Sequence, residues 1–238
     1  MIFEVVSHCF AKKLPHYAKA LHYQLESIAN CRMTGVDVRA VICLDPDDKR
    51  TMEVLAQYVR DRRGEGLLRV VSLRMREFSR RCIGRNQAAL ATKADVVWFS
   101  DVDQMYSVDA FYDLAETDWQ GAAMVYPGQI MISKDHVTGD SFLRGDAPGV
   151  PGDFVVKKYN RAIGGVQIVK GDFARQFGYL NGTEWMKFVP VENNDVLPSF
   201  RDDIAYRRFC HEHGGIRKIE LRGVYRIRHS TTSYQTKK

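Results

Sequence analysis

Residues 96–106 read VVWFSDVDQMY, and the reading of this stretch decides the fold. Its first four residues are apolar without alternation, the pattern of a strand covered on both faces in a sheet flanked by helices. The run ends on two carboxylates, Asp101 and Asp103, one residue apart. In open α/β sheets, ligands bind outside the C-terminal ends of the strands. On an extended chain residues i and i+2 point the same way, so the two charges repel unless a cation or hydrogen bonds compensate them. Hard carboxylate oxygens suit Mg2+ or Mn2+, which commonly bridge protein carboxylates and phosphates. The same pair also serves as turn or cap chemistry, so its surroundings must carry the reading.

Upstream, strands and helices alternate. Residues 2–6 read as a strand and 14–29 carry apolar side chains at helical spacing. Residues 36–44 form a second strand, stopped by Asp45-Pro46-Asp47-Asp48, which is a turn and helix cap together. A helix over 51–59, a strand over 67–73 and a short Ala-rich helix over 86–92 follow. Downstream, residues 127–160 are rich in Gly, Pro, Asp and Lys and read as a long loop able to close over a ligand. Residues 162–169 read as a strand carrying Gly164-Gly165, 172–177 as a short helix and 181–198 as irregular. Residues 199–213 form a helix ended by Gly214-Gly215, and 216–227 supply one or two last strands. The expected architecture is one α/β domain over residues 1–238. Its mostly parallel central sheet is flanked by helices, with a regular half over 1–126 and an irregular half over 127–238.

An apolar content of 45% in 238 residues suffices for a full core and excludes a disordered chain. No stretch reaches the length of a membrane span. The N-terminus lacks a basic region ahead of a long apolar one, so no signal peptide is expected. Five cysteines without C-x-x-C spacing read as reduced thiols of a cytoplasmic protein. Between Arg60 and Arg85 lie nine arginines against three acids, an excess equal to the whole formal net charge of +6. Such a run fits a polyanionic partner, although a solvated helix face is the commoner origin of one.

Two further patterns join the carboxylate pair. Asp202-Asp203 opens the 199–213 helix, where carboxylates favour the helix dipole or, presented to a pocket, act as a general base. His229 follows the last strand within RIRHS, residues 226–230. An imidazole beside a metal-binding carboxylate tilts the preference from Mg2+ toward Mn2+.

In this order the pieces resemble the GT-A glycosyltransferases, and within them the inverting β-1,4-galactosyltransferase type and the related family-two enzymes. FSDVD, residues 99–103, looks like the metal motif of that type, and the preceding GRNQAALATKADVVW like the helix and strand that lead into it. IGGVQIVKGDFARQFGYLN, residues 163–181, resembles its GG-strand and helix. DDIAYRR resembles the end of its acidic motif and RIRHS its metal-binding His segment. The likeness spans roughly residues 84–230.

What the resemblance implies is a Rossmann-like GT-A fold that binds a nucleotide-sugar, a UDP-sugar by preference, in the half 1–126. Residues 127–238 would form the acceptor and catalytic half. Asp103 and His229 would hold Mn2+ or Mg2+, and Asp101 would lie by the donor ribose or sugar. Asp45 would meet the nucleobase or its ribose, and Arg85 the donor phosphate or base. Gly164 and Gly165 would let donor and acceptor approach the backbone. Phe200 and Arg201 stand where the acidic motif has Glu-Asp, so the base is Asp202 or Asp203. The implied reaction is a single displacement that inverts the anomeric carbon. The acceptor is expected to be a saccharide of cell-surface polysaccharide. The alternative is a hydroxymethylated base of DNA, as with phage enzymes, with Arg74, Arg76, Arg80 and Arg81 tracking phosphates. With neither anchor nor stem, a bacterial or viral cytoplasmic enzyme is expected.

Overall fold

The computed structural model describes residues 1–60, 66–74, 77, 81–146, 151–180 and 200–230. The first half runs β1 (Ile2–His8), α1 (His16–Met33), β2 (Asp37–Leu44), α2 (Lys49–Arg60), β3 (Leu68–Ser72), α3 (Arg81–Leu90) and β4 (Val96–Ser100). Next come β5 (Gln104–Tyr106), α4 (Val108–Ala115), β6 (Met124–Pro127), β7 (Gln129–Ser133) and α5 (His136–Arg144). A 3-10 turn at Pro151–Asp153 leads into β8 (Phe154–Lys158), β9 (Val166–Lys170) and α6 (Gly171–Phe177). The last described elements are α7 (Phe200–Gly214), β10 (Ile216–Ile219) and β11 (Val224–Arg226).

Seven strands form a central sheet in the order β10-β6-β9-β4-β1-β2-β3. β1 pairs in parallel with β2 and β4, β2 with β3, and β10 with β6. Only β9 opposes its neighbours in this sheet, β4 and β6. The period of two along each strand sorts its side chains into two cores. Val5 and Trp98 face one side, with Leu21, Leu25 and Ile28 of α1 and Phe111 of α4. Val6, Val97 and Phe99 face the other, with Ala88 and Ala89 of α3 and Tyr206 and Cys210 of α7. All five residues of β4 are buried, as its unbroken apolar run requires. The four cysteines Cys9, Cys31, Cys43 and Cys210 are buried and Cys82 partly so, all as free thiols.

The strand order reverses direction at β1, with β2 and β3 on one side and β4 on the other. Such a switch point opens a crevice at the C-terminal ends of the strands. A second sheet, β5-β11-β7-β8, forms another wall of that crevice, which receives Ile132, Lys157 and Arg226 from it. No helix among the described residues is long and apolar enough to cross a membrane.

The structure corrects the reading of 127–160 as a loop. The stretch holds β7, α5 and β8, with 147–150 outside the described residues. β8 leaves Val155 and Val156 exposed, at 44% and 53%, so no alternation of buried and polar residues marks it as a strand. Helix α3 begins at Arg81, five residues before the expected start, and thereby carries both Arg81 and Arg85. Gly164 and Gly165 precede β9 rather than lying in it.

Candidate active site

β4 delivers Asp101 and Asp103 to the crevice, but not on extended chain. The Gln104 N–H bonds back to the Asp101 carbonyl at 3.3 Å, closing a turn. Beneath it lies a buried polar network. Ser100 Oγ meets Tyr106 Oη at 2.5 Å and Gln104 Oε1 at 3.2 Å, and Gln24 Nε2 donates to the Asp101 carbonyl at 2.9 Å. Few rotamers satisfy so many buried partners, which pins the turn.

Arginines, not extension, bring the two carboxylates together. Arg226 of β11 places Nε 3.1 Å from Asp103 Oδ2 and Nη2 3.4 Å from Asp101 Oδ2. Arg81 lies 3.0 Å from Asp101 Oδ1, with Arg85 3.9 Å from the same atom. Burial opposes the Asp101 charge, but Arg81, Arg226 and Arg85 outweigh it and hold the carboxyl below its usual range. Burial raises Asp103, against the pull of Arg226 and with the repulsion of Asp101 added. The Asp103 side chain is 6% exposed, and its Oδ1 has no hydrogen-bond partner among the described residues.

His229 Nε2 stands 3.7 Å from Asp103 Oδ2, and its Nδ1 is buried without a hydrogen-bond partner. Burial and then Arg226 lower its pKa, which favours the neutral imidazole that a metal ligand requires. Its segment is clamped under α5. Asp140 accepts hydrogen bonds from the Ser230 N–H at 3.1 Å and hydroxyl at 2.6 Å, and Ser133 Oγ accepts from the Arg228 N–H at 2.8 Å. A β-carbon on Gly139 would overlap the Arg228 carbonyl oxygen and sit 2.7 Å from its carbon. Gly139→Ala is therefore expected to cost about 1–3 kcal/mol as overpacking. A urea titration monitored by tryptophan fluorescence would read it.

The second acidic pair divides. Asp202 is buried against α3, accepts hydrogen bonds from Cys82, and is raised chiefly by burial. Asp203 turns toward the site, with Oδ1 2.7 Å from Arg85 Nη1 and 2.8 Å from Tyr179 Oη. Arg85 thus joins Asp203 to Asp101 from a fully buried position. Neither Asp202 nor Asp203 lines the pocket described below. Gly164 and Gly165 do admit a close approach, though of the protein's own side chains. A β-carbon on Gly165 would stand 2.6 Å from Asp101 Oδ2, and one on Gly164 would collide with the Asp203 carboxylate.

A pocket of about 520 Å³ gathers the site. Asp101, Asp103, Arg81, Arg226 and His229 line it with Tyr17, Tyr159, His8, His136, Lys157 and Arg228. Asp45 is buried at the end of β2, accepts the Asp47 N–H at 3.1 Å and does not line this pocket. Of the four arginines expected to track a polyanion, Arg74 is exposed, Arg81 faces inward onto Asp101, and Arg76 and Arg80 lie outside the described residues. Two more of the run also turn inward, Arg69 onto Glu4 at 2.8 Å and Arg85 onto Asp203. Trp185, a candidate to cover the ground of the Trp-Gly segment of the β-1,4-galactosyltransferase type, and Asn193-Asn194-Asp195, an acceptor contact or a turn by its residue types, lie outside the described residues. Arg226 is the principal site residue that the sequence did not single out. Its signal was its place three residues before His229, within the RIRHS segment.

His16, packed against His229 with ring centroids 4.7 Å apart, is lowered to about 4 by burial and by His229. A histidine depressed in the fold takes up its proton on unfolding, so its contribution is present above pH 6.5 and lost as pH falls toward 4. Moving from pH 7.5 to 5 should therefore cost the wild type up to about 2 kcal/mol more than His16→Gln. Urea titrations of both proteins at the two pH values would show the difference.

No protein-family model matches the sequence, and no curated protein does. Solved structures share the fold. S. aureus TarS aligns with a TM-score of 0.60 at 14% identity, covering 95% of this chain and 36% of that one. A TarS fragment, residues 1–349, aligns at 0.56 and 14%, covering 95% and 60%. This chain therefore spans only about a third of the full TarS chain and three fifths of its fragment. The galactosyltransferase LgtC, solved with donor and acceptor sugar analogs, aligns at 0.50 and 16%, covering 90% and 72%. These neighbours are GT-A glycosyltransferases, and the chain has their fold, a mixed α/β structure on a mostly parallel seven-stranded sheet.

Proposed function

We propose that the protein is a metal-dependent glycosyltransferase that moves a sugar from a nucleotide-sugar, a UDP-sugar by preference, onto a saccharide hydroxyl. One observation carries this reading: two carboxylates at the end of β4, Asp103 buried and Asp101 half-buried, beside the His229 imidazole, inside a pocket at the sheet's switch point. Fold alone does not settle activity; this site is what supports it. No three His, Cys, Asp or Glu side chains among the described residues form a complete metal cage. A cation that keeps substrate phosphates among its ligands needs only one or two protein carboxylates. The buried, unpartnered Asp103 Oδ1 and His229 Nδ1 fit that role, and the mixed oxygen and imidazole set suits Mn2+.

Asp103 and His229 would hold the ion, which when bound would neutralise charge developing on the leaving diphosphate. Arg81 and Arg226, now on the carboxylates, would offer their guanidinium groups to the same diphosphate. Asp203 is the proton acceptor for the attacking hydroxyl in this reading, because Asp202 is turned onto Cys82. The transfer then proceeds by one displacement with inversion. The nucleic-acid alternative loses ground because Arg69, Arg81 and Arg85 of the arginine run are paired with acids of the protein itself.

The test is release of nucleoside diphosphate from a panel of sugar nucleotides, with Mn2+, with Mg2+ and with chelator. Simple saccharides and hydroxymethylated DNA would serve as acceptors. Turnover of one donor that chelator stops and Mn2+ restores supports the reading, and NMR of the product's anomeric proton reports inversion. Retention would remove Asp203 from the base role. Failure of every donor to bind or react would reject the glycosyltransferase.

A further inference from the structure

The pocket holds more positive charge than its donor chemistry uses. Four cations line it, Arg81, Arg226, Lys157 and Arg228, against the two carboxylates Asp101 and Asp103. His8 and His229 add none, because burial and the nearby arginines lower both. Arg81 and Arg226 are paired with the carboxylates. Lys157 and Arg228 make no ion pair among the described residues, and the acid that feels the charge of Arg228 from a greater distance, Asp135, does not line the pocket. Arg228 spends one guanidinium nitrogen on the Lys134 carbonyl at 3.3 Å and faces His136 Nε2 at 3.5 Å. A divalent cation and the diphosphate of a sugar nucleotide carry equal and opposite charge. Their arrival leaves the excess of two positive charges where it was.

The two spare cations share a wall. Lys157 belongs to β8 of the second sheet, and Arg228 follows β11 of the same sheet. The Asp101–Asp103 turn extends from the central sheet instead. Arg228 is also held in place, since its N–H is bound by buried Ser133 and the next residues are clamped by Asp140. Like charges fixed in one concavity raise the local concentration of an anion. Arg in particular matches the fork of a phosphate or carboxylate.

We propose that the acceptor is an anionic saccharide, whose phosphate or carboxylate group is taken by Lys157 and Arg228 while its hydroxyl faces the donor. This rests on the glycosyltransferase reading, but the anion site can be tested without turnover. Inorganic phosphate would be titrated by calorimetry into protein saturated with UDP and Mg2+, at ionic strength fixed with chloride. One saturable phosphate site is expected, at least about tenfold weaker in Lys157→Ala and in Arg228→Gln, as the loss of one charge-assisted contact predicts. UDP affinity should stay within twofold in both variants. No saturable site, or one that both variants leave unchanged, overturns the proposal. So does phosphate that competes with UDP, because the two cations then serve the donor.

Turnover assigns the source of the charge. Methyl glucoside, its 6-phosphate and the corresponding glucuronide would be compared as acceptors with the active donor. Preference for the phosphate or the uronate names the group, whereas equal use of the neutral sugar, or use of DNA alone, overturns the proposal. If phosphate binds but no donor reacts, the anion site stands and the glycosyltransferase reading fails.

Discussion

Asp103→Ala is expected to cut nucleoside diphosphate release about a thousandfold or more while leaving the fold intact. The metal's share of transition-state stabilisation is several kcal/mol, and about 4 kcal/mol corresponds to three powers of ten in rate. Stability should move little, for a reason visible in the site. Burial and the neighbouring Asp101 both work against the Asp103 charge, so folding holds this carboxylate where it resists ionising. Removing it relieves the repulsion, and Arg226 retains Asp101 at 3.4 Å. Thermal unfolding of the variant should therefore match the wild type or exceed it, the trade of stability for activity found at functional sites. Asp103→Asn keeps the shape and separates the loss of charge from the loss of volume. Activity within tenfold of wild type in both variants would remove Asp103 from the metal site. A collapse of the melting temperature in both would assign it to the fold instead.

The residues that were legible in the sequence are those whose pattern is local. VVWFS is apolar at every position save its last, and a strand covered on both faces leaves little choice. Asp101, Asp103 and His229 each stand just past a strand, where the backbone turns out of the sheet, so their place in the crevice followed from the strands. What escaped depends on partners far along the chain. Arg226 reaches Asp101 and Asp103 across more than 120 residues, and nothing in RIRHS says that its first arginine bridges two carboxylates. The arginine run was hard to read for the same reason. Charge density is readable, but whether Arg69 and Arg85 point to solvent or to Glu4 and Asp203 is decided by how α3 packs on the sheet. The strand β8 escaped because its valines are exposed and only its pairing with β7 makes it a strand. Asp45 was placed at a strand end by its position alone, and its hydrogen bond from the Asp47 N–H shows how the turn it opens is held.

Arg85→Met is expected to be the most damaging single change to stability. The guanidinium is fully buried, 2.7 Å from Asp203, 3.0 Å from Tyr179 Oη and 3.4 Å from the Ser100 carbonyl. Removing one partner of a buried ion pair strands the other charge and costs roughly 3–5 kcal/mol. For a chain of this size that lowers the melting temperature by roughly 6–20 °C. Lysine would not rescue it, because its single ammonium cannot reproduce bonds made from two separate guanidinium nitrogens, Nη1 to Tyr179 and Asp203 and Nη2 to the Ser100 carbonyl. Replacing both members is a different case, since an apolar pair of similar volume is often neutral or stabilising. Arg85→Met combined with Asp203→Leu should therefore regain most of the lost stability. The double variant then tests the assignment of Asp203. If Asp203 takes the proton from the acceptor, the refolded protein binds donor and metal yet transfers no sugar. If transfer returns along with the melting temperature, Asp203 serves only to neutralise Arg85, and the base must be sought elsewhere in the chain.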